Sequence, residues 1–240
     1  MGAYTLQGQR ALITGGGRGI GRYIALGLAQ EGCKVAVAAR TELEVQSVAA
    51  EVTETGGEAL AITADIADEQ SVADMVAKVE QEWGGIDILV NNAAIFKGRG
   101  HVVNLSLEDW NRMLSVNLTG YFLTTKAVLP GMIERESGSV IMMSSTAGKR
   151  GDPSASAYCA SKFGVNGLAH SLLHEVRRKN IRVQVISPSL VDTSTNPDIA
   201  VETGRGAHMH AKDVAEATIA TLKLPPRTLV RDIELWGNNP

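Results

Sequence analysis

The sequence predicts a doubly wound α/β fold, with about seven parallel strands in one sheet and helices on both faces. Short apolar runs alternate with helical patterns along the whole chain, and these runs are continuously apolar instead of alternating with polar residues. Continuously apolar strands are buried on both faces, and right-handed crossovers then place ligands at the carboxyl ends of the strands. Because no repeat, low-complexity tract or linker interrupts this order, we expect a single domain over residues 1–240.

Seven runs have the length and the β-branched, apolar composition of buried strands. In chain order they are RALIT (10–14), KVAVAA (34–39), ALAIT (59–63), IDILVNN (86–92), SVIMMS (139–144), RVQVIS (182–187) and DIELW (232–236). Each is followed or preceded by a longer segment with helical spacing, which is the order expected of β–α–β crossovers.

The segments between the strands predict helices because their apolar residues recur at helical spacing. The first opens on glycines, the second carries its charges on one face, and the third is amphipathic. The predicted helices span 19–32, 41–55, 71–83, about 107–135, from Tyr158 to about 179, and 212–222. The irregular segment 189–211 lies after the sixth strand, at the ligand edge of the sheet, so we expect a mobile substrate lid there.

Composition excludes several classes of protein. The formal charge is −3, the pI is about 6.0, and no block of lysine and arginine occurs, so nucleic acid is not an expected partner. No apolar run approaches the roughly 20 residues of a membrane span, and the amino terminus lacks the layout of a signal peptide. Two cysteines, Cys33 and Cys159, make neither a disulfide framework nor a metal cluster. We therefore expect a cytoplasmic protein without a metal site.

A glycine-rich turn, TGGGRGIG (14–21), follows the first strand and precedes the first helix. Glycines allow a tight turn and close approach of the backbone, and the amino end of a helix offers unpaired N–H groups to a pyrophosphate. The spacing differs from G-x-G-x-x-G, and no G-K-[ST] follows, so neither common phosphate-binding motif applies. Taken alone, the stretch is either a phosphate-binding turn or a flexible glycine turn.

The end of the second strand predicts which nicotinamide cofactor binds. An NAD site places an acidic residue about 20 residues after the glycines to bind the ribose hydroxyl groups. Here no acid lies between Glu31 and Glu42, and Arg40 occupies that neighbourhood. Arg40 and Arg18 would attract a 2′-phosphate, although both could instead be solvated surface residues. We therefore expect NADP(H) in preference to NAD(H).

Tyr158 and Lys162 are four residues apart in ASAYCASKF (155–163), so a helix would place both on one face. A cation beside a phenol favours the phenolate and lowers its pKa. The stretch alone leaves three interpretations open, namely a catalytic pair, a chance pair on a solvated face, and the surroundings of a reactive Cys159.

Five motifs in order along the chain are more specific than any one of them. They are TGGGRGIG (14–21), NNAA (91–94), SVNL (115–118) with its asparagine at Asn117, Ser145 placed 13 residues before Tyr158, and YCASK (158–162). With these motifs the sequence resembles the short-chain dehydrogenase/reductase family over essentially its whole length. The resemblance implies a Rossmann-like fold and an oxidoreductase that acts on carbonyl or secondary alcohol groups.

The resemblance also implies a role for each matching residue. Tyr158 would be the general acid, Ser145 would bind the substrate oxygen, and Lys162 would bind the nicotinamide ribose and lower the phenol's pKa. Asn117 would hold a water that links Lys162 to a proton relay. The implied cofactor-binding residues are Gly15, Gly17, Arg18, Gly19, Ile20, Gly21, Arg40, Asp65, Ile66, Asn92, Ala93, Tyr158, Lys162, Pro188, Val191 and Thr193.

The chain departs from the family pattern at three places. Ala94 and Ser189 replace glycines, and the carboxyl terminus lacks the glycine-rich tail of many 3-oxoacyl-carrier-protein reductases. The departures remove no reacting group, but they weaken any transfer of those enzymes' substrate. Ser144 competes with Ser145 for the substrate oxygen, and the 13-residue spacing favours Ser145.

Two histidine pairs and one cysteine have less informative surroundings. His170 and His174 are four residues apart but lack a third metal ligand, and His208 and His210 lie in the irregular segment. Cys159 would point about 100° away from Tyr158 around the helix, so we expect a packed side chain.

The reaction class expected from these residues is NADP(H)-dependent carbonyl reduction or alcohol oxidation, on a ketone or a 3-oxoacyl thioester. Two other functions fit the fold. One is a redox-sensing, NADP(H)-binding regulator without turnover, which would not need Ser145, Tyr158 and Lys162 together. The other is a nucleotide-sugar epimerase, which would carry a larger carboxyl-terminal region than the roughly 50 residues after Pro188. The resemblance also implies a homodimer or homotetramer.

Overall fold

The computed structural model describes residues 4–96, 100–193 and 209–238. The strands are β1 (Arg10–Thr14), β2 (Lys34–Ala39), β3 (Glu58–Thr63), β4 (Ile88–Asn91), β5 (Gly138–Met143), β6 (Ile181–Pro188), β7 (Val191–Asp192), β8 (Met209–His210) and β9 (Asp232–Leu235). The helices are α1 (Gly19–Gln30), α2 (Glu42–Glu54), α3 (Glu69–Trp83), α4 (Leu107–Leu114), α5 (Gly120–Glu134), α6 (Ser156–Val176) and α7 (Ala211–Leu222). Short 3₁₀ turns occupy Val102–Asn104, Thr146–Gly148 and Arg177–Lys179.

Seven strands form one parallel sheet in the order β3-β2-β1-β4-β5-β6-β9. The order reverses direction between β1 and β4, because β1, β2 and β3 extend one way from the centre and β4, β5, β6 and β9 the other. This doubly wound arrangement is the predicted one, and each of the seven predicted runs contributes a strand. A crevice at the carboxyl ends of β1 and β4, where the order reverses, is the expected ligand site of such a sheet.

Alternate side chains along each strand point into two separate apolar layers. Leu12 of β1 packs in the layer that contains α3, α5 and α6, whereas its neighbours Ala11 and Ile13 pack in the layer that contains α1, α2 and α7. The helices cover the sheet with apolar residues at helical spacing, such as Val45, Val48 and Val52 on α2, all buried. Burial of both faces explains why the strand sequences are continuously apolar.

Helix boundaries follow local chemistry that the sequence displays. The carboxylate of Asp68 caps α3 by accepting a hydrogen bond from the Ser71 N–H at 2.7 Å, and Gly84 ends the helix in the left-handed region at φ 77°. The predicted helical stretch from 107 to 135 is present as α4 and α5, joined through a π-helical turn at Ser115–Thr119. Such turns insert an extra residue and often occur at functional sites.

One pairing was not predicted from the sequence. Val191 of β7 lies beside Met209 of β8, and Asp192 lies beside His210, in a two-stranded parallel ribbon. Two residues are too short to leave a strand pattern in the sequence. The ribbon brings together the two ends of the predicted lid, 189–211. Residues 194–208 lie outside the described residues, so the lid itself stays a prediction.

None of the described helices has both the length and the sustained apolar character that crossing a bilayer requires.

Candidate active site

The turn between β1 and α1 leaves no room for side chains at two of its glycines. Gly15 has φ +64°, and a Cβ there would lie 2.6 Å from Cα of Ala93. A Cβ on Gly21 would lie 2.3 Å from the carbonyl oxygen of Gly15. The Asn92 side chain ties the same turn to β4, because its Nδ2 donates to the carbonyls of Thr14 at 3.0 Å and Gly15 at 3.1 Å. The turn is therefore a close-packed crossing of three backbone segments.

Replacing Gly21 with alanine is expected to disturb this crossing. The added methyl group meets backbone atoms that cannot move cheaply, so we expect the free energy of unfolding to fall by about 1–3 kcal/mol and NADPH affinity to fall with it. Thermal unfolding and titration with NADPH measure the two effects. Gly167→Ala is the matched control, because no heavy atom lies within 4 Å of its added Cβ. Equal stability and affinity in both variants would contradict the packing argument.

A cavity of about 450 Å³ adjoins the glycine turn and fits the adenosine and pyrophosphate groups of a dinucleotide. The N-cap of α1, Arg18, makes no side-chain capping bond, which leaves the first-turn N–H groups available to a phosphate. The predicted cofactor residues that line it are Gly15, Gly17, Arg18, Gly19, Ile20, Arg40, Asp65, Ile66, Asn92, Ala93 and Thr193. Within the described part of the chain, no carboxylate forms an ion pair with Arg18 or Arg40.

Glu44, in the first turn of α2, lines the same cavity, and sequence reasoning missed it. Its Oε2 lies 3.2 Å from the position that a Cβ on Gly17 would occupy. The sequence shows no acid directly after β2, but a helical turn brings this carboxylate back beside the glycines. Glu44 is therefore a second carboxylate, besides Asp65, in a cavity that also holds the two arginines, and its negative charge opposes a 2′-phosphate.

Ser145 and Tyr158 face one another across a second cleft. Ser145 follows β5, and Tyr158 lies in the first turn of α6. The Ser145 Oγ accepts from the Ala147 N–H at 3.1 Å, which fixes the hydroxyl at the start of its 3₁₀ turn. Burial raises the pKa of Tyr158, and a hydrogen bond with the Ser145 side chain opposes that rise in part. The ring of Phe96 packs edge-on against the Tyr158 ring, with centroids 5.1 Å apart.

Lys162 lies one turn further along α6 and is 1% exposed. Its Nζ donates to the carbonyl of Met143 at 2.8 Å and lies 5.8 Å from the centroid of the Tyr158 ring. Burial lowers the pKa of Lys162 to about 7. Burial therefore disfavours the charged form of Lys162, the form that would lower the pKa of the phenol.

The pKa of Tyr158 shifts upward, whereas the sequence predicted that Lys162 would lower it. The pKa of Tyr158 is raised, because burial of the phenol outweighs the hydrogen bond with Ser145. A raised pKa keeps Tyr158 in the protonated form, which is the form that a general acid needs.

Asn117 sits in the π-helical turn between α4 and α5, and its side chain is fully engaged with the protein. Its Oδ1 accepts from the Ile95 N–H at 2.8 Å, and its Nδ2 donates to the Ile95 carbonyl at 2.9 Å and to Ser161 Oγ at 3.2 Å. Ser161 precedes Lys162 on α6. The structure thus brings Asn117 to the helix of the Tyr158–Lys162 pair, and the role of holding a water stays a prediction.

The second cleft has a volume of about 990 Å³ and shares Ile20, Asn92, Ala94 and Thr193 with the first. The predicted site residues that line the second cleft are Ser145, Tyr158, Lys162, Pro188 and Val191, together with the shared Ile20, Asn92 and Thr193. Gly21 is the predicted cofactor residue that lines neither cavity, because it is packed inside the turn. One continuous edge of the sheet therefore holds both groups of predicted residues.

The competing residues occupy structural positions. Ser144 Oγ donates to the backbone carbonyl of Lys162 at 3.4 Å, whereas Ser145 Oγ donates to the backbone carbonyl of Pro188 at 3.4 Å. His170 Nε2 lies 3.0 Å from an oxygen of Asp232 and links α6 to β9. His210 Nδ1 accepts from the Lys212 N–H and caps α7, whereas His208 lies outside the described residues. Cys159 is buried, and its Sγ accepts from the Asp152 N–H.

The family model described as short chain dehydrogenase matches residues 9–203. The chain belongs to the short-chain dehydrogenase family. A relative from the same family, a 3-oxoacyl-[acyl-carrier-protein] reductase of Synechocystis sp., is 36% identical over 198 residues, which are 82% of this chain and 80% of the relative. The resemblance inferred from the five motifs is confirmed.

Solved members of the short-chain dehydrogenase family share the fold over nearly the full length. A metagenomic short-chain oxidoreductase in complex with NADP superimposes with a TM-score of 0.84 at 30% identity, covering 96% of this chain and 97% of that one. An alcohol dehydrogenase of the archaeon Thermococcus sibiricus, complexed with 5-hydroxy-NADP, gives a TM-score of 0.87 at 28% identity, with 95% and 96% covered. The chain is thus an oxidoreductase of this family by sequence and by fold.

Proposed function

We propose that the chain is an NADP(H)-dependent oxidoreductase that transfers hydride between the nicotinamide and a carbonyl or secondary alcohol group. The observation that carries the proposal is that Ser145, Tyr158 and Lys162 line one cleft, which shares part of its lining with the cavity beside the glycine turn. A proton donor and an oxygen-binding hydroxyl there can reach the same carbonyl oxygen.

Two features support NADP(H) as the cofactor. Arg18 and Arg40 lie at the cavity beside the glycine turn, where they can bind a 2′-phosphate. The two solved relatives hold NADP and 5-hydroxy-NADP. The Glu44 carboxylate opposes this preference, because it lines the same cavity. We therefore expect NAD(H) to bind as well, but more weakly than NADP(H).

Each catalytic residue has a role that its contacts support. The bound nicotinamide would supply or accept the hydride. In the reducing direction Tyr158 donates its hydroxyl proton to the carbonyl oxygen, and Ser145 stabilises the charge that develops on that oxygen. The Lys162 ammonium binds the ribose hydroxyls and compensates the negative charge that forms on Tyr158 as its proton leaves. For Asn117 the proposed role is to hold a water that links Lys162 to a proton relay, although its side-chain contacts are to Ile95 and Ser161.

The substrate that we propose is a ketone or a 3-oxoacyl thioester with an apolar substituent. Phe96 and Trp236 line the cleft and are each 49% exposed, and Met143 lies at its base near Tyr158. Large apolar side chains left open at a cleft favour an apolar ligand, because binding removes their surface from water. The Synechocystis relative is named for a 3-oxoacyl substrate and the Thermococcus relative for an alcohol. Both names support hydride transfer between a carbonyl and an alcohol group, and both substrate types should be tested.

The test is oxidation of NADPH by the purified protein with a panel of ketones and 3-oxoacyl thioesters. We expect turnover with at least one apolar carbonyl compound, and a lower KM for NADPH than for NADH. Tight NADPH binding without turnover on a broad panel would contradict the proposal, and together with recovery of a protein partner it would favour the regulator.

We also propose a homodimer or homotetramer, working in the cytoplasm. Phe122 on α5 and Phe163 on α6 are each 47% exposed, which supports an apolar contact between copies of the chain. Light scattering in solution measures the mass, and a monomer at micromolar concentration would contradict this proposal.

A further inference from the structure

The ammonium of Lys162 is a buried cation without an acidic partner in the described part of the chain. It is 1% exposed, and burial is the cause of its lowered pKa. The one hydrogen bond found for Nζ goes to the neutral carbonyl of Met143. A buried ammonium without an acidic partner tends to lose its proton. An interaction other than a carboxylate pair is therefore needed to favour the charged form of Lys162.

Tyr121, on α5, contacts both the ammonium and its acceptor, and it is 0% exposed. The Lys162 Nζ lies 5.2 Å from the centroid of the Tyr121 ring, within the range of a cation–π attraction. The Tyr121 hydroxyl donates to the Met143 carbonyl at 3.1 Å, which is the same oxygen that accepts from Lys162 at 2.8 Å. The ring therefore faces the cation, and the hydroxyl holds the cation's acceptor in place.

We propose that Tyr121 is a positioning residue, which holds the Lys162 ammonium between two tyrosine rings on the Met143 carbonyl and so favours its charged form. The proposal rests on the proposed function, in which Lys162 binds the ribose hydroxyls and supports proton transfer from Tyr158. The titratable groups that face Lys162 in the described chain are Tyr121 from α5 and Tyr158 from its own helix. Burial raises the pKa of Tyr121 well above its ordinary value, so Tyr121 stays a neutral hydrogen-bond donor.

Two substitutions separate the ring from the hydroxyl. Tyr121→Phe keeps the aromatic face and removes the hydrogen bond to Met143, whereas Tyr121→Leu removes both. The protonated form of Lys162 is lost as the pH rises through its pKa, so a weaker hold on the charge moves that loss to lower pH. We expect the falling limb of kcat/KM to shift downward by roughly 0.4 to 1.5 pH units in Tyr121→Leu, and much less in Tyr121→Phe.

A second measurement does not depend on turnover. Isothermal titration of NADPH between about pH 5.5 and 9 follows the affinity that the charged Lys162 contributes, and the same downward shift is expected in Tyr121→Leu. Tyr23→Leu is the matched control, because it makes the same change on α1 at a residue that lines neither cavity. Should Tyr121→Leu not fold, Tyr121→Met removes the ring and retains more volume.

The outcomes are distinct. A folded Tyr121→Leu protein with the wild-type pH dependence of both kcat/KM and NADPH affinity would overturn the proposal. A uniform loss at every pH, without movement of the midpoint, would also overturn it, because that is the behaviour of a purely structural residue. Wild-type protein that binds NADPH but reduces no carbonyl would refute the proposed function alone, and the titration would still decide the role of Tyr121.

Discussion

Tyr158→Phe is expected to lower kcat for carbonyl reduction by roughly 10²- to 10⁴-fold, because the substrate oxygen loses its proton donor. The ring remains, so its contact with Phe96 and the packing of α6 are retained, and the melting temperature should change little. NADPH affinity should also be close to that of the wild type, since the residues proposed to bind the cofactor's phosphate groups line the other cavity.

Steady-state kinetics with the best substrate of the panel, together with NADPH titration, measure this prediction. Tyr23→Phe is the control, because Tyr23 lies on α1 and lines neither cavity. Turnover by Tyr158→Phe at the wild-type rate would remove Tyr158 from the role of general acid.

Arg40→Asp is expected to lower the preference for NADPH over NADH by roughly 10- to 100-fold, measured as the ratio of the two kcat/KM values. The change would remove a charge-assisted hydrogen bond to the 2′-phosphate and add a third carboxylate to the cavity that Glu44 and Asp65 already line. The same carboxylate can accept a hydrogen bond from the ribose hydroxyl of NADH, so part of the change should come from improved use of NADH.

The control for this charge reversal is Arg178→Asp. Arg178 lies in the 3₁₀ turn after α6, is exposed, and lines neither cavity. It reproduces the change in net charge without the change at the site. An unaltered cofactor ratio in Arg40→Asp, or an equal change in both variants, would show that Arg40 does not contact the 2′-phosphate.

Much of the fold could be predicted because its signals are local. The continuous apolar runs became β1 to β6 and β9, since burial on both faces of a parallel sheet demands such runs. The turn at 14–21 lies between β1 and α1 as predicted, and the stretches at 145 and 158–162 lie on one cleft. Motif spacing located these groups because the carboxyl ends of parallel strands meet at one edge of the sheet.

Other features depend on residues that are far apart in the chain. Glu44 reaches the glycine turn through the packing of α2, and β7 pairs with β8 across a gap in the sequence that no periodicity bridges. A π-helical turn likewise divides the 107–135 stretch, and Asn117 in that turn accepts a hydrogen bond from the distant Ile95. A local pattern contains no information about such contacts.

By itself, the sequence determined the family, the order of strands and helices, and the residues Ser145, Tyr158 and Lys162 as one group. Only the tertiary structure decided the electrostatics of that group. It buried the ammonium of Lys162 without a carboxylate partner, placed Tyr121 against it, and raised the pKa of Tyr158 where spacing alone predicted a decrease. The reason is physical. Residue type and spacing say which charges are near one another along a helix, but desolvation depends on everything that packs around them.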